Sequence, residues 1–209
     1  MAKMNKTQAT LWVLIIFGII MIGVQWFGQS SRNQGTAAGE QARSKGDPQA
    51  SVRIVEFVDF QCPACAYGAK MLHGYFQDYS KDMFVQMKYF PLRMHKHSLL
   101  AAQYAQCAAR QKKFWPVYDL LFERQKKWSS LNNPRPDLDL IAKDATLDMG
   151  RLKQCLDDSG VRRIIQKNID EGKAKGVRST PTYFINGNMV VGPQALKGAL
   201  DHLFHEQSP

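Results

Sequence analysis

The stretch EFVDFQCPACAYG, residues 56–68, places two cysteines two residues apart, directly after an apolar run. That run, VRIVEFVDF at residues 52–60, is rich in β-branched and aromatic residues and predicts a strand. Apolar residues then recur with helical spacing through residues 63–79, which predicts a helix. Cys62 and Cys65 therefore lie at a junction between a strand and a helix.

This junction suits redox chemistry, because a cysteine is a good nucleophile only as its thiolate. Cys62 falls at the predicted start of the helix, where free backbone N–H groups and the helix dipole stabilise an anion. Pro63 takes the first helical position, where its missing N–H costs nothing. Cys65 follows one turn later, in a more shielded place. The pattern predicts that Cys62 exchanges disulfides with a client and Cys65 resolves the mixed disulfide, with Pro63 and Ala64 as spacers.

Two other interpretations of the pair are weaker. A zinc site needs further ligands, usually a second close pair, whereas Cys107 and Cys155 are isolated and no histidine pair has finger-like spacing. A structural disulfide between Cys62 and Cys65 would close a very small loop and stabilise little. The sequence thus predicts no metal, and it predicts no organic cofactor, since a redox disulfide itself carries the two electrons.

The N-terminus predicts a membrane anchor. Residues 11–27, LWVLIIFGIIMIGVQWF, carry no charge and would span about 25 Å as a helix, close to the thickness of a hydrocarbon core. Lys3 and Lys6 precede this run, so residues 1–10 are predicted to stay cytoplasmic and the rest of the chain to lie on the periplasmic, extracytoplasmic face of the inner membrane. A cleaved signal peptide is the alternative, and it exports the domain equally.

The remaining chain predicts a tether followed by one α/β domain. Residues 28–50 are rich in Gly, Ser, Gln and Ala and predict a flexible linker, so the folded domain is expected to cover residues 51–206. A second strand, a helical block over about residues 95–175, a strand hairpin and a final helix follow. The helices predicted within the block span residues 97–111, 114–127, 137–146, 148–157 and 159–175.

Charge and histidine content point to no additional site. The formal net charge is +10, but the basic residues are spread along the chain without a nucleic-acid-binding signature, so no nucleic-acid partner is predicted. Attraction to an anionic bilayer or to acidic clients is at least as consistent with this charge. His95 and His97 have no neighbouring carboxylate in the sequence, which favours solvent-exposed polar side chains over a metal site.

Four motifs together resemble the DsbA-like thioredoxin-fold thiol–disulfide oxidoreductases: VEFVDFQCPAC, KYFPL, KFWPVYDLLF and GVRSTPTYFINGNMVVG. The resemblance covers about residues 48–206 and implies a thioredoxin fold with an inserted helical subdomain. It also implies that Pro181 is a cis-proline beside the cysteine pair and that the backbone of Thr180 pairs with an incoming peptide. Without the cysteine motif, a trans proline opening a strand would be the simpler interpretation of Pro181.

The resemblance also assigns a role to Glu56, six residues before Cys62, where thioredoxin-like proteins place a buried acidic residue. Strand alternation directs Glu56 to the same face as Val58 and Phe60, which is expected to be the inner one. Burial there would raise its pKa and let it move protons for Cys65. A partly solvated or paired carboxylate is the alternative.

Ala64 bears on the direction of electron flow. Ala64 stands where a histidine often lies in this family, which implies a less acidic Cys62 and a potential between ~−120 and ~−270 mV. The favoured function is oxidation of newly exported client proteins, with a DsbB-like membrane partner that reoxidises the pair. The alternatives are a reductase or isomerase fed by a transmembrane electron donor, and a non-catalytic binding or chaperone module.

Cys107 and Cys155 fall on the apolar faces of two predicted helices, so both are expected to be buried. Free buried cysteines are the ordinary alternative. Export to an oxidising compartment favours a structural disulfide between them instead.

Overall fold

This computed structural model describes residues 41–204 together with Trp12 and Met21. The predicted cytoplasmic segment 1–10, all but two residues of the predicted anchor 11–27, and the first part of the predicted linker lie outside the described residues. Among the helices of the described part, none is both long enough and apolar enough to cross a membrane.

A five-stranded mixed sheet forms the centre of the fold, in the order β1-β3-β2-β4-β5. Strand β2 runs parallel to β3 and antiparallel to β4, and the outer strands β1 and β5 are antiparallel to their neighbours β3 and β4. The strands are β1 (Ser44–Gly46), β2 (Val52–Val58), β3 (Met83–Tyr89), β4 (Thr182–Ile185) and β5 (Asn188–Val191).

Helices surround this sheet, and six of those described lie between β3 and β4 as an insertion. The α/β class, the thioredoxin-like order of elements and the inserted helical block are confirmed. The helices are α1 (Pro63–Asp78), α2 (Ser98–Arg110), α3 (Phe114–Glu123), α4 (Gln125–Ser129), α5 (Arg135–Asp144), α6 (Met149–Asp157), α7 (Ser159–Ala174) and α8 (Pro193–Phe204).

The predicted helix over 114–127 is divided in two. Arg124 leaves helical geometry, with φ −97° and ψ 11°, and it separates α3 from α4. This turn brings Trp128 into the core, where its indole N–H donates to the carbonyl oxygen of Leu121 at 2.8 Å. Helical periodicity alone gave no sign of the break, because apolar residues continue through it.

The domain begins earlier than predicted. Residues 44–46 of the predicted linker 28–50 form β1, so Ser51 is not the start of the folded part. Arg43, just before β1, is 1% exposed, and its guanidinium donates to Oδ1 of Asn168 at 2.7 Å. The composition of this segment predicted a flexible linker because it is poor in large apolar residues. The segment is held instead by backbone pairing and a buried arginine, neither of which requires apolar residues.

The hairpin between β4 and β5 is confirmed at its turn. Asn186 and Gly187 both have positive φ, 48° and 87°, which is the conformation that a two-residue hairpin turn requires. The side chain of Asn186 also joins this turn to β2, because its Oδ1 accepts the backbone N–H of Arg53 at 2.8 Å.

A disulfide joins α2 to α6 within the insertion. It links Cys107 to Cys155 across a sequence separation of 48 residues, and both sulfurs lie in the core formed by the helical block. This is the pairing that the sequence favoured over free buried cysteines.

Removing this disulfide is expected to lower the free energy of unfolding by about 4 kcal/mol, because a loop of this length loses that much chain entropy when it is closed in the unfolded state. The comparison is between Cys107→Ala/Cys155→Ala and the disulfide-intact protein, by urea unfolding in a Cys62→Ser/Cys65→Ser background. Equal unfolding free energies would show that the disulfide does not stabilise the domain.

Candidate active site

Cys62 is the N-cap residue of α1, and Pro63 occupies the first turn of that helix. The turn that precedes it is closed by the backbone N–H of Cys62, which donates to the carbonyl oxygen of Asp59 at 3.1 Å. Both Cys62 and Cys65 are free thiols. Cys62 is 7% exposed and Cys65 is 1% exposed, so Cys62 is the sulfur nearer to solvent.

The pKa values of the two thiols are shifted in opposite directions. Hydrogen bonding from the Cys65 thiol is the largest cause that lowers the pKa of Cys62 to about 5, and the backbone N–H groups of Cys65 and Ala64 add to it against the effect of burial. Burial raises the pKa of Cys65 well above its ordinary value, and the neighbouring Cys62 raises it further. The pair therefore consists of an acidic nucleophile above a protonated, shielded partner.

The loop before β4 reaches the same place. The Thr180–Pro181 peptide bond is cis, and the Cys62 thiol donates to the carbonyl oxygen of Thr180 at 3.4 Å. Close packing holds α1 against this loop and β4: a Cβ on Gly68 would lie 2.1 Å from the hydroxyl of Tyr183 in β4 and 3.6 Å from the Pro181 ring. The structure thus brings Cys62, Thr180 and Pro181 together.

Glu56 is fully buried in the middle of β2, on the inner face as strand alternation predicts. Its Oε2 accepts the hydroxyl of Tyr118 at 3.2 Å. Burial raises the pKa of Glu56 to about 7, although the charge of Lys45 and the Tyr118 hydrogen bond oppose the increase. Tyr118 and Tyr183 each interact electrostatically with both Glu56 and Cys65, so the carboxyl group, the two hydroxyls and the buried sulfur belong to one electrostatic cluster.

Lys45 is a functional candidate that the sequence did not reveal. It extends from β1, and its Nζ lies 4.2 Å from the centre of the Trp115 ring and 4.5 Å from that of Phe76. Burial lowers the pKa of Lys45, while the charge of Glu56 raises it. A three-residue strand within a Gly- and Ser-rich segment carries no periodic signal, so only the fold identifies this lysine.

Residues around the turn before Cys62 form a second group that the sequence missed. The Gln125 amide donates to the carbonyl oxygens of Phe60 at 2.8 Å and Cys62 at 2.9 Å. His95 Nδ1 donates to Oδ2 of Asp59 at 2.8 Å. One local signal in the sequence pointed to this group. Asp59 stands two residues before Gln61, and its side chain accepts the backbone N–H of Gln61, as in an Asx turn.

The expectation that His95 and His97 are solvent-exposed polar side chains is wrong. His97 is 8% exposed, and its Nε2 contacts the carbonyl oxygen of Leu131 at 2.8 Å, while His95 pairs with the buried Asp59. Both histidines are therefore bound to protein groups. Within residues 41–204 and at the two isolated described positions, no group of three or more metal-ligating side chains converges.

A first prediction concerns the cost of ionising Glu56. Its folded pKa of about 7 lies above the ordinary 4.5, so its stabilising contribution is full below about pH 4.5 and is lost as the pH rises to about 7. As the pH rises from about 4.5 to about 7, the free energy of unfolding of Glu56→Gln is expected to increase by about 3 kcal/mol relative to that of the parent. Urea unfolding of both proteins at about pH 4.5 and at about pH 7 checks this. The background is Cys62→Ser/Cys65→Ser, and Glu123→Gln is the control at an exposed position. A pH-independent difference would contradict it.

A second prediction concerns the reactivity of Cys62. The rate of alkylation by iodoacetamide is expected to rise with pH around a midpoint of about 5, and Cys65→Ala should move that midpoint upward because it removes the largest stabilising interaction. Mass spectrometry identifies the modified cysteine, and Cys62→Ala serves as the blank. A midpoint near the ordinary value of 9.0 would rule out the stabilised thiolate.

Similar proteins of two kinds match this chain. The probable disulfide bond formation protein D of Bacillus cereus is 29% identical over 199 residues, which cover 90% of this chain and 91% of that protein. The Na(+)/H(+) antiporter NhaA 3 of Salinispora tropica is 34% identical over 166 residues, which cover 77% of this chain and 24% of the antiporter. The chain thus spans about a quarter of the length of the antiporter relatives that it matches.

The structural and family comparisons agree on the fold. The crystal structure of Wolbachia pipientis alpha-DsbA1 superposes with a TM-score of 0.67 at 21% identity, over 78% of this chain and 91% of that one. A protein-family model described as thioredoxin matches residues 39–202, from just before β1 into α8. Because this match covers most of the chain, the protein belongs to the thioredoxin family, with a DsbA-like fold.

Proposed function

We propose that this chain is an exported, membrane-tethered thiol–disulfide oxidoreductase that oxidises client proteins through a Cys62–Cys65 disulfide. The observation that carries the proposal is the asymmetry of the pair, in which Cys62 has a pKa of about 5 and the buried Cys65 has a raised one. Such a pair needs no metal or organic cofactor, because the disulfide accepts the two electrons itself.

The oxidation proceeds in two exchanges. A client thiolate attacks the Cys62 sulfur of the disulfide, forming a mixed disulfide and releasing Cys65 as a thiolate that takes up a proton. A second client thiolate then attacks the client sulfur of the mixed disulfide and releases Cys62 as its stabilised thiolate. The client gains a disulfide and loses two electrons, which the cysteine pair gains.

Glu56 is the proposed proton carrier for Cys65. A pKa of about 7 lets this carboxyl group give and take a proton near neutral pH, and Tyr118 and Tyr183 interact electrostatically with both this carboxyl group and the sulfur. Thr180 and Pro181 form the proposed client site, since the carbonyl oxygen of Thr180 already faces the Cys62 sulfur where a client cysteine must approach.

The acidity of Cys62 favours oxidation over reduction. Its pKa of about 5 lies between the ~7 of thioredoxin and the ~3.5 of DsbA, and a more stable thiolate makes the disulfide a stronger oxidant. The match with a probable disulfide bond formation protein over 90% of this chain supports the same direction. A DsbB-like membrane oxidant would regenerate the disulfide. A reductase or isomerase supplied by a transmembrane donor remains the second candidate, which Ala64 favours.

The proposed location is the extracytoplasmic face of the inner membrane. The uncharged run 11–27 would anchor the chain in the bilayer with residues 1–10 in the cytoplasm, and the formal net charge of +10 of the whole chain would favour contact with an anionic lipid surface. Anchoring would keep the domain in the same membrane as its redox partner.

The test measures disulfide transfer to a reduced, unfolded client by the oxidised protein. The parent protein is expected to oxidise the client stoichiometrically, while Cys62→Ser and Cys65→Ser, neither of which can form the Cys62–Cys65 disulfide, are both expected to be inactive. Retention of client oxidation by Cys62→Ser would overturn the proposal. A reduction potential of about −120 to −180 mV for the pair supports oxidation, whereas about −270 mV would identify a reductase.

A further inference from the structure

The carboxylate of Asp59 is held from three directions. It is 1% exposed and lies in the turn between β2 and α1. Its Oδ1 accepts the backbone N–H of Gln61 at 2.7 Å, and its Oδ2 accepts the backbone N–H of Leu92 and the Nδ1–H of His95, both at 2.8 Å. The side chain therefore has one orientation, fixed by its own turn and by the loop that follows β3.

The main chain of the same residue contacts both cysteines. The backbone N–H of Asp59 donates to the sulfur of Cys65 at 3.5 Å, and its carbonyl oxygen accepts the backbone N–H of Cys62 at 3.1 Å. Fixing the carboxylate thus also fixes a donor aimed at the buried sulfur, because the peptide group and the side chain share one α-carbon.

We propose that Asp59 is a positioning residue for thiol exchange: its carboxylate, held by His95, keeps the Asp59 backbone N–H directed at the sulfur of Cys65. This inference rests on the proposed function and adds a residue to the same site. The N–H stabilises negative charge on that sulfur, where burial and the neighbouring Cys62 disfavour charge.

The donor acts in both directions of the reaction. When a client thiolate attacks Cys62, the Cys62–Cys65 bond breaks and the charge appears on the Cys65 sulfur as it leaves. In the reverse step the Cys65 thiolate attacks the Cys62 sulfur of a mixed disulfide, the Cys62–Cys65 bond forms, and the client leaves as a thiolate. Because both steps share one transition state, the same hydrogen bond accelerates each.

The electrostatics around the buried sulfur give this donor its importance. Burial and the charge of Cys62 both raise the pKa of Cys65, while the backbone N–H of Asp59 lowers it. Tyr118 on α3 and Tyr183 on β4 are two further titratable groups that interact with this sulfur. The hydrogen bonds of the Asp59 carboxylate go to Gln61, Leu92 and His95 and not to either tyrosine. Variants at Asp59 and His95 are therefore expected to leave the two tyrosines in place.

A two-phase exchange reaction separates the two sulfurs. When the reduced full-length protein is mixed with dithiobis(nitrobenzoate), the first released thiolate reports the attack by Cys62, and the second reports the intramolecular attack by Cys65. Asp59→Asn is expected to slow the second phase about tenfold, the effect of a lost hydrogen bond to a charged group, and to leave the first phase within about twofold. Asp144→Asn, at an exposed ion pair on α5, is the matched control.

Variants at His95 keep the test decisive if Asp59→Asn does not fold. His95→Ala removes the donor to the carboxylate and is expected to slow the second phase, whereas His95→Asn places an amide N–H at the position of Nδ1 and is expected to restore it. A merely structural loosening would slow both phases together and would not be rescued by asparagine.

The outcomes distinguish this inference from the proposed function. If the parent protein shows a second phase and the Asp59 and His95 variants show it at the same rate, the positioning role alone is overturned. Equal slowing of both phases would also overturn it. A parent protein with no second phase would show that Cys65 does not resolve, and the oxidoreductase proposal would fail together with the inference.

Discussion

The turn between β2 and α1 holds the two cysteine sulfurs at different depths, and the chemistry of the site depends on that difference. Cys62 ends the turn at the solvent side, where the start of a helix and the Cys65 thiol stabilise its thiolate. Cys65 lies beneath it, where burial keeps the sulfur protonated. A disulfide between sulfurs in such unequal environments is attacked at one atom and releases the other, so the fold determines the order of events.

The helical insertion and the loop before β4 both contribute contacts around this turn. The insertion contributes the Gln125 amide, which binds the carbonyl oxygens of Phe60 and Cys62, and the Tyr118 hydroxyl, which binds Glu56. The loop before β4 contributes the Thr180 carbonyl oxygen. The helical block therefore contributes to the candidate active site as well as covering the sheet, and the disulfide between α2 and α6 joins two of its helices.

The sequence predicted the parts of this arrangement that are local. Apolar periodicity located most of the helices and strands, and the Asn186–Gly187 turn located the hairpin, because each is determined by neighbouring residues. Resemblance, rather than periodicity, was needed to place Pro181 beside Cys62. The Asp59–His95 contact joins residues 36 positions apart, which no local pattern encodes. The predicted anchor stays a prediction from composition.

The early start of the domain has a practical consequence for anyone who shortens this chain. A fragment that begins at Ser51 keeps the whole cysteine motif and every element from β2 onward, and it would look complete by motif content. It would lack the sheet-edge strand β1 and the Lys45 ammonium group that offsets the buried Glu56. Redox and titration data from such a fragment would describe a protein with a different internal charge balance, so the boundary for recombinant work belongs before Arg43.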